Sequence, residues 1–153
     1  MQSVLSIGSN VEDFTLDDQF DKPASLLECR GKKVLLSFHP LAWTGICTKQ
    51  MQNLDAAYEA FAARGVIPFG LSVDAVPAKK AWSDSMQLKR LRLLSDFWPH
   101  GGLAAKLGIF MDDEGISRRA NILIDETGAV MWTKVYEMAT LPDFEEILSL
   151  LKA

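Results

Sequence analysis

A chain of 153 residues that is 48% hydrophobic, with eight Phe and four Trp, can bury a core of its own, and it reads as one domain over residues 1–153. Its formal net charge of −4 argues against nucleic acid or an anionic membrane as the main partner. Two cysteines, Cys29 and Cys47, make no disulfide framework and fit a reducing, cytoplasmic compartment.

The first eight residues have neither a basic region nor a long apolar one, so no secretory signal is expected there. Further on, no apolar run approaches the roughly 20 residues of a membrane span. Phe14-Thr15-Leu16 and Ser25-Leu26-Leu27 flank the polar stretch Asp17 to Pro23, which predicts a small hairpin or edge elements. Arg30-Gly31-Lys32-Lys33 turns into a strand over Lys33 to His39, and its nearly continuous apolar run predicts cover on both faces. A helix is expected from Cys47 to about Arg64, with Met51, Leu54, Tyr58 and Phe61 on one stripe and Gly65 past its end.

A second buried strand is expected over Val66 to Val73, where Pro68 removes one ladder hydrogen bond. Asp74 to Gln87 reads as a helix with Pro77 in its first turn, and Leu91 to Ser95 as a short strand. Asp96 to Gly102 is a loop, Leu103 to Leu107 a short helix, and Asp112 to Gly115 an acidic loop. Strands over Ala120 to Asp125 and Ala129 to Tyr136, split by Glu126-Thr127-Gly128, predict a β-hairpin. Leu141 to Leu151 reads as a closing amphipathic helix with Phe144, Ile147, Leu148 and Leu151 on one face. The alternation predicts a layered α/β domain with a mixed sheet.

Between the first core strand and its helix lies Pro40-Leu41-Ala42-Trp43-Thr44-Gly45-Ile46-Cys47. A cysteine in the first turn of a helix meets unpaired N–H groups and the positive end of the dipole, both of which favour an anion. A thiol so placed becomes acidic, and its thiolate is a nucleophile. The chemistry is therefore expected in this loop.

The spacing Pro40-x-x-x-Thr44-x-x-Cys47, on a strand–loop–helix, resembles the active-site signature of peroxiredoxins. The resemblance extends over nearly the whole chain. Gly8 to Leu16 is similar to that family's opening segment, with Glu12 where a proline is common, and Arg119-Ala120-Asn121-Ile122-Leu123-Ile124-Asp125 to its arginine-headed hairpin. Leu41 to Cys47 and Asp96-Phe97-Trp98-Pro99-His100-Gly101 most resemble the AhpE-like, one-cysteine group. The resemblance implies a thioredoxin-like fold, a central mixed β-sheet flanked by helices with an N-terminal hairpin extension. It also implies a thiol-dependent peroxidase acting on hydrogen peroxide or small organic hydroperoxides, with no metal, haem or flavin, and a homodimer.

Residue roles follow from the same resemblance. Cys47 supplies the attacking sulfur and becomes a sulfenic acid. Thr44 turns its hydroxyl toward sulfur and peroxide, Arg119 stabilises the thiolate and the leaving oxygen, and Pro40 walls off water. Backbone N–H groups of Ile46 and Cys47 are further expected donors. Many relatives resolve the sulfenic acid with a second cysteine, but position 52 is Gln52 and residues 148–153 contain none. An external thiol reductant is the default: thioredoxin, a glutaredoxin-like protein or a low-molecular-weight thiol. Position 50 is Gln50, where relatives often carry an acid, and His39 stands where an aromatic is more usual.

Cys47 as an inert buried thiol conflicts with the motif around it. Cys29 is expected to be passive, with a resolving or inter-subunit role as the alternative. His39 or His100 activating Cys47 for acyl transfer leaves the arginine hairpin without a purpose, and no CxxC or HxxxH spacing suggests a metal. Arg118 is expected to face solvent, opposite Arg119. Trp43, Trp82, Phe97 and Trp98 lie on loops or near element ends and could form a dimer face. The runner-up function is a redox-sensing adaptor or holdase that hands its oxidation to a client protein.

Overall fold

The structure, a computed structural model, describes residues 3–151. Two short strands, β1 (Thr15–Asp17) and β2 (Pro23–Ser25), pair antiparallel around the polar stretch. Asp18 Oδ1 accepts the main-chain N–H groups of Phe20 and Lys22 at 2.8 and 3.0 Å, the usual way a short acidic side chain closes a turn. After a 3₁₀ turn at Leu27–Cys29 come β3 (Lys33–Phe38), α1 (Gly45–Ala56), α2 (Tyr58–Ala62), β4 (Val66–Ser72), α3 (Val76–Met86) and β5 (Arg92–Ser95). Then follow α4 (Gly102–Lys106), the two-residue strands β6 (Phe110–Met111) and β7 (Ile116–Ser117), β8 (Arg119–Ile124), β9 (Val130–Tyr136) and α5 (Glu145–Leu150).

Five strands form a mixed sheet in the order β5-β4-β3-β8-β9, with β3 at the centre. β5, β4 and β3 run parallel, and β8 and β9 antiparallel to their neighbours. Both faces are covered, as the apolar run predicts. Alternation along β3 sends Val34, Leu36 and Phe38 to one core, with α4, Val11 and Cys29. Leu35 goes to the other, with side chains of α1, α2, α3 and α5. Pro68 is tolerated because β5 reaches β4 only from Phe69 onward, leaving that position without an outer partner. At Gly70 any Cβ would collide with Met51 Sδ and come within 2.8 Å of Leu93 Cδ2, so this glycine lets α1 lie close on the sheet.

Two expectations need correction. The helix foreseen from Cys47 to Arg64 starts two residues earlier and is two helices, broken at Ala57. Just before the break, Asp55 Oδ1 accepts the N–H groups of Arg90 and Leu91 at 2.9 Å each, tying the end of α1 to the loop ahead of β5. The closing helix begins only at Glu145, whose N–H bonds Asp143 Oδ1 at 3.0 Å; Pro142 offers no N–H, and the chain before it stays irregular. The acidic loop expected at Asp112 to Gly115 is present as the tip of the β6–β7 hairpin, whose strands are too short to show a period. Among the described residues, no helix is long and apolar enough to cross a membrane.

Candidate active site

Cys47 is the third residue of α1 and only 1% exposed. Thr44, with extended backbone, caps the helix, and Thr48 N–H closes the first turn on the Thr44 carbonyl at 2.9 Å. The N–H groups of Gly45, Ile46 and Cys47 precede that bond and have no acceptor within the helix, which leaves the positive end of the helix dipole at the turn that carries Cys47. This much is local geometry, written in the loop itself.

The cation arrives from far away in the sequence. β8 pairs with β3 so that Ala120 lies opposite Phe38. One residue before Ala120 is Arg119, which therefore stands beside the loop that opens at His39. Arg119 is 3% exposed, on the same face of β8 as Leu123, whose side chain lies in the core shared with Cys47. Its Nη1 donates to Cys47 Sγ at 3.3 Å and to Gln50 Oε1 at 2.7 Å, and Nε and Nη2 donate to the Met138 carbonyl at 3.3 and 3.0 Å. Gln50, one helical turn from Cys47, donates in turn to Ser37 Oγ at 2.9 Å and to the Phe38 carbonyl at 3.3 Å. None of the bonded oxygens around the guanidinium belongs to a carboxylate, so no neighbour in contact competes with sulfur for the charge.

The remaining expected residues sit as follows. Pro40 is buried, two residues past the end of β3. Thr44 is exposed, and its hydroxyl donates to the Leu41 carbonyl at 3.1 Å rather than to sulfur. Trp43, between them, has a φ of 72°, a left-handed conformation uncommon outside glycine and found where surrounding structure enforces it.

His39 is fully buried, tilted against Trp82 with ring centroids 5.1 Å apart, and neither ring nitrogen has a hydrogen-bond partner. Burial, then the positive charges of Lys79 and Arg119, hold its pKa well below the usual imidazole range, so it is neutral. It makes no bond to Cys47, and the acyl-transfer arrangement is absent there. His100 is on the surface, with Nε2 2.7 Å from the Gly115 carbonyl. Trp82 is buried in the middle of α3 rather than at an element end, and donates to Thr48 Oγ1 at 3.2 Å; Trp43 and Trp98, 55% and 80% exposed, remain on the surface with Phe97. Arg118 is half-buried, on the opposite side of the chain from Arg119. No group of three or more metal-ligating side chains gathers among the described residues.

Cys29 lies in the core on the other face of the sheet from Cys47. Its thiol contacts the Ser25 carbonyl at 3.5 Å, and burial, followed by the Glu28 charge, pushes its pKa up. That is the setting of an inert thiol.

Sequence reasoning missed the support behind the loop: Lys79, Ser72 and Asp74. One signal was present. Lys79 falls three residues before Trp82 and seven before Met86, on the apolar stripe of α3, an odd position for a lysine.

With this geometry in view, the comparisons with known proteins agree with one another. The AhpC/TSA family model matches residues 7–133. An alkyl hydroperoxide reductase E of Mycobacterium tuberculosis is 33% identical over 141 residues, covering 92% of each chain. Among solved structures, a reduced 2-Cys peroxiredoxin of Plasmodium vivax superposes with a TM-score of 0.88 at 28% identity, over 96% of this chain and 80% of that one. The peroxidoxin BcpB of Mycobacterium tuberculosis superposes with a TM-score of 0.83 at 26% identity, over 96% of both.

Proposed function

Because the chain belongs to the AhpC/TSA family of peroxiredoxins, we propose that it reduces peroxide at Cys47, with Arg119, Thr44 and Pro40 completing the site. As a member of that family it is a thiol-dependent peroxidase with a thioredoxin-like fold. The observation that carries the assignment to Cys47 is the 3.3 Å approach of Arg119 Nη1 to its sulfur.

The thiolate attacks one oxygen of the peroxide along the O–O axis. An S–O bond forms as the O–O bond breaks, and the leaving oxygen takes a proton and departs as water or an alcohol. Arg119 offers fixed donors to the thiolate and to the oxygen on which charge develops. The N–H groups at the start of α1 add the same polarity through the helix dipole. Thr44 turns its hydroxyl from the Leu41 carbonyl to the incoming peroxide, and buried Pro40 adds no donor that would draw water in. Cys47 is left as sulfenic acid, two electrons more oxidised. A thiol then attacks that sulfur, releasing water and forming a mixed disulfide, and a second thiol frees Cys47.

The reductant is external in this reading: thioredoxin, a glutaredoxin-like protein or a small thiol. Support comes from Cys29 being packed on the opposite face of the sheet and from Gln52 one turn and a half after Cys47. Hydrogen peroxide and small organic hydroperoxides are the substrates, since the sulfur is buried and offers little room for a bulky one. The exposed Leu41, Trp43, Phe97 and Trp98 support a homodimer, and the cysteine usage supports a cytoplasmic setting.

The test is stopped-flow tryptophan fluorescence of the reduced protein against hydrogen peroxide, beside Cys47→Ser, with intact mass on the same samples. The expected result is a change first order in peroxide and a gain of one oxygen, both absent in the variant. A wild-type chain whose Cys47 gains no oxygen overturns the reading.

A further inference from the structure

Lys79 is fully buried in α3, yet it forms none of the six ion pairs found among the described residues. Its Nζ donates to Ser72 Oγ at 2.5 Å. That hydroxyl donates to Asp74 Oδ2 at 2.6 Å, and the same carboxylate oxygen accepts the Ala42 N–H at 2.8 Å. The chain of bonds therefore runs from the first turn of α3, through the end of β4, to the main chain between Pro40 and Thr44. It ends next to Trp43, the residue in the left-handed conformation.

A lysine without a direct carboxylate partner is an expensive thing to bury, and a leucine or methionine would fill the same stripe without that cost. Burial pushes its pKa down to about 8, against the opposing pull of Asp74, Asp96 and Cys47. At neutral pH it is still charged. Strained backbone and buried charge of this kind persist where the surrounding structure uses them.

We infer that Lys79 is a positioning residue for peroxide reduction: through Ser72 and Asp74 it pins the loop that presents Cys47, and its ammonium is a second buried positive charge that favours the thiolate. The charged and titratable groups facing this region are Cys47 on α1, His39 after β3, Asp74 after β4, Asp96 after β5 and Arg119 on β8. His39 is neutral, and Asp96 caps α4 through the Leu103 and Ala104 N–H groups at 2.9 Å each. Asp74 is engaged by the loop itself. Lys79 and Arg119 are thus the cations left to act on the sulfur, one reaching it by contact and the other from within the core.

The inference rests on Cys47 being the atom that peroxide oxidises, and it can fail separately. The experiment compares the wild type with Lys79→Met, which keeps the apolar stem, and Lys79→Gln, which keeps an N–H donor for Ser72 but no charge. Three quantities are read for the reduced proteins: the pH midpoint of Cys47 alkylation by iodoacetamide, the rate of oxidation by hydrogen peroxide, and the thermal midpoint. In both variants the alkylation midpoint is expected to rise by about one pH unit, with oxidation below that midpoint slowed about tenfold. The thermal midpoint of Lys79→Met is expected to equal or exceed that of the wild type, because a buried charge has been removed.

An unmoved alkylation midpoint in a folded variant overturns the inference, whether or not the rate changes. So does a loss of thermal stability in Lys79→Met accompanied by an unshifted profile in Lys79→Gln, the signature of a merely structural prop. Alkylation needs no peroxide. A wild-type Cys47 that alkylates normally but gains no oxygen overturns the peroxidase reading instead, and leaves the Lys79 coupling to be decided by the midpoints.

Discussion

Arg119 Nη1 is held at 2.7 Å by Gln50 Oε1, a neutral oxygen, while it approaches the Cys47 sulfur at 3.3 Å. The glutamine orients the guanidinium without taking its charge. Replacing it by glutamate, Gln50→Glu, sets a carboxylate against the same nitrogen and turns a second oxygen toward the Phe38 carbonyl, which now receives an N–H at 3.3 Å. The expected outcome is a rise of about one unit in the pH midpoint of Cys47 alkylation. The thermal midpoint should fall by a few degrees, from about 1–3 kcal/mol of unmet hydrogen bonding. An alkylation midpoint equal to that of the wild type would show that neutrality at position 50 has no bearing on the sulfur.

Arg119→Met removes the one cation in contact with the sulfur and leaves the buried Gln50 Oε1 without its donor. Peroxide reduction is expected to slow by about a hundredfold or more, the usual effect of deleting a preorganised donor. Stopped-flow fluorescence measures it, and a rate within a few-fold of the wild type removes Arg119 from the mechanism.

Cys29→Ser should be silent. Serine can donate to the same Ser25 carbonyl, and the site lies across the sheet from Cys47. Oxidation and turnover with an external thiol are expected within twofold, roughly the spread of a neutral substitution. A Cys29–Cys47 disulfide on peptide mapping, after one equivalent of peroxide, would contradict the one-cysteine assignment.

His39 gives the protein an acid limit. Its folded pKa is lowered, whereas in the unfolded chain it sits near 6.5. As pH falls through that value the unfolded chain binds a proton that the folded one refuses, so stability present above pH 6.5 is lost below it. The slope approaches about 1.4 kcal/mol per pH unit, one proton's worth. His39→Phe keeps a ring against Trp82 and should flatten the urea-denaturation stability between pH 6.5 and 5. A variant that retains the wild-type slope assigns the loss to other groups.

Much of this was legible in the chain. The apolar run Val34 to Phe38, the hairpin split at Glu126-Thr127-Gly128 and the strand–loop–helix around Cys47 all carry period and punctuation, and all formed. The helix stripe at Met51, Leu54 and Phe61 is buried as expected, although a break at Ala57 divides it. Arg119 was reached through family resemblance, because nothing local says that register will set the residue just before Ala120 beside residue 47. Lys79 and Asp74 were not found at all. A lysine on an apolar stripe reads as a mistake in the pattern until the fold brings Ser72, Asp74 and Ala42 around it, and those contacts span 7 and 32 positions.

The separation between sulfur and cation also dictates when the chain becomes chemically dangerous to itself. Cys47 is synthesised 72 residues ahead of Arg119, and β8 must pair with β3 before the two can meet. A chain still emerging from the ribosome carries an ordinary thiol with no guanidinium beside it. In the proposed reading, Cys47 gains its cation only once β8 has paired with the central strand.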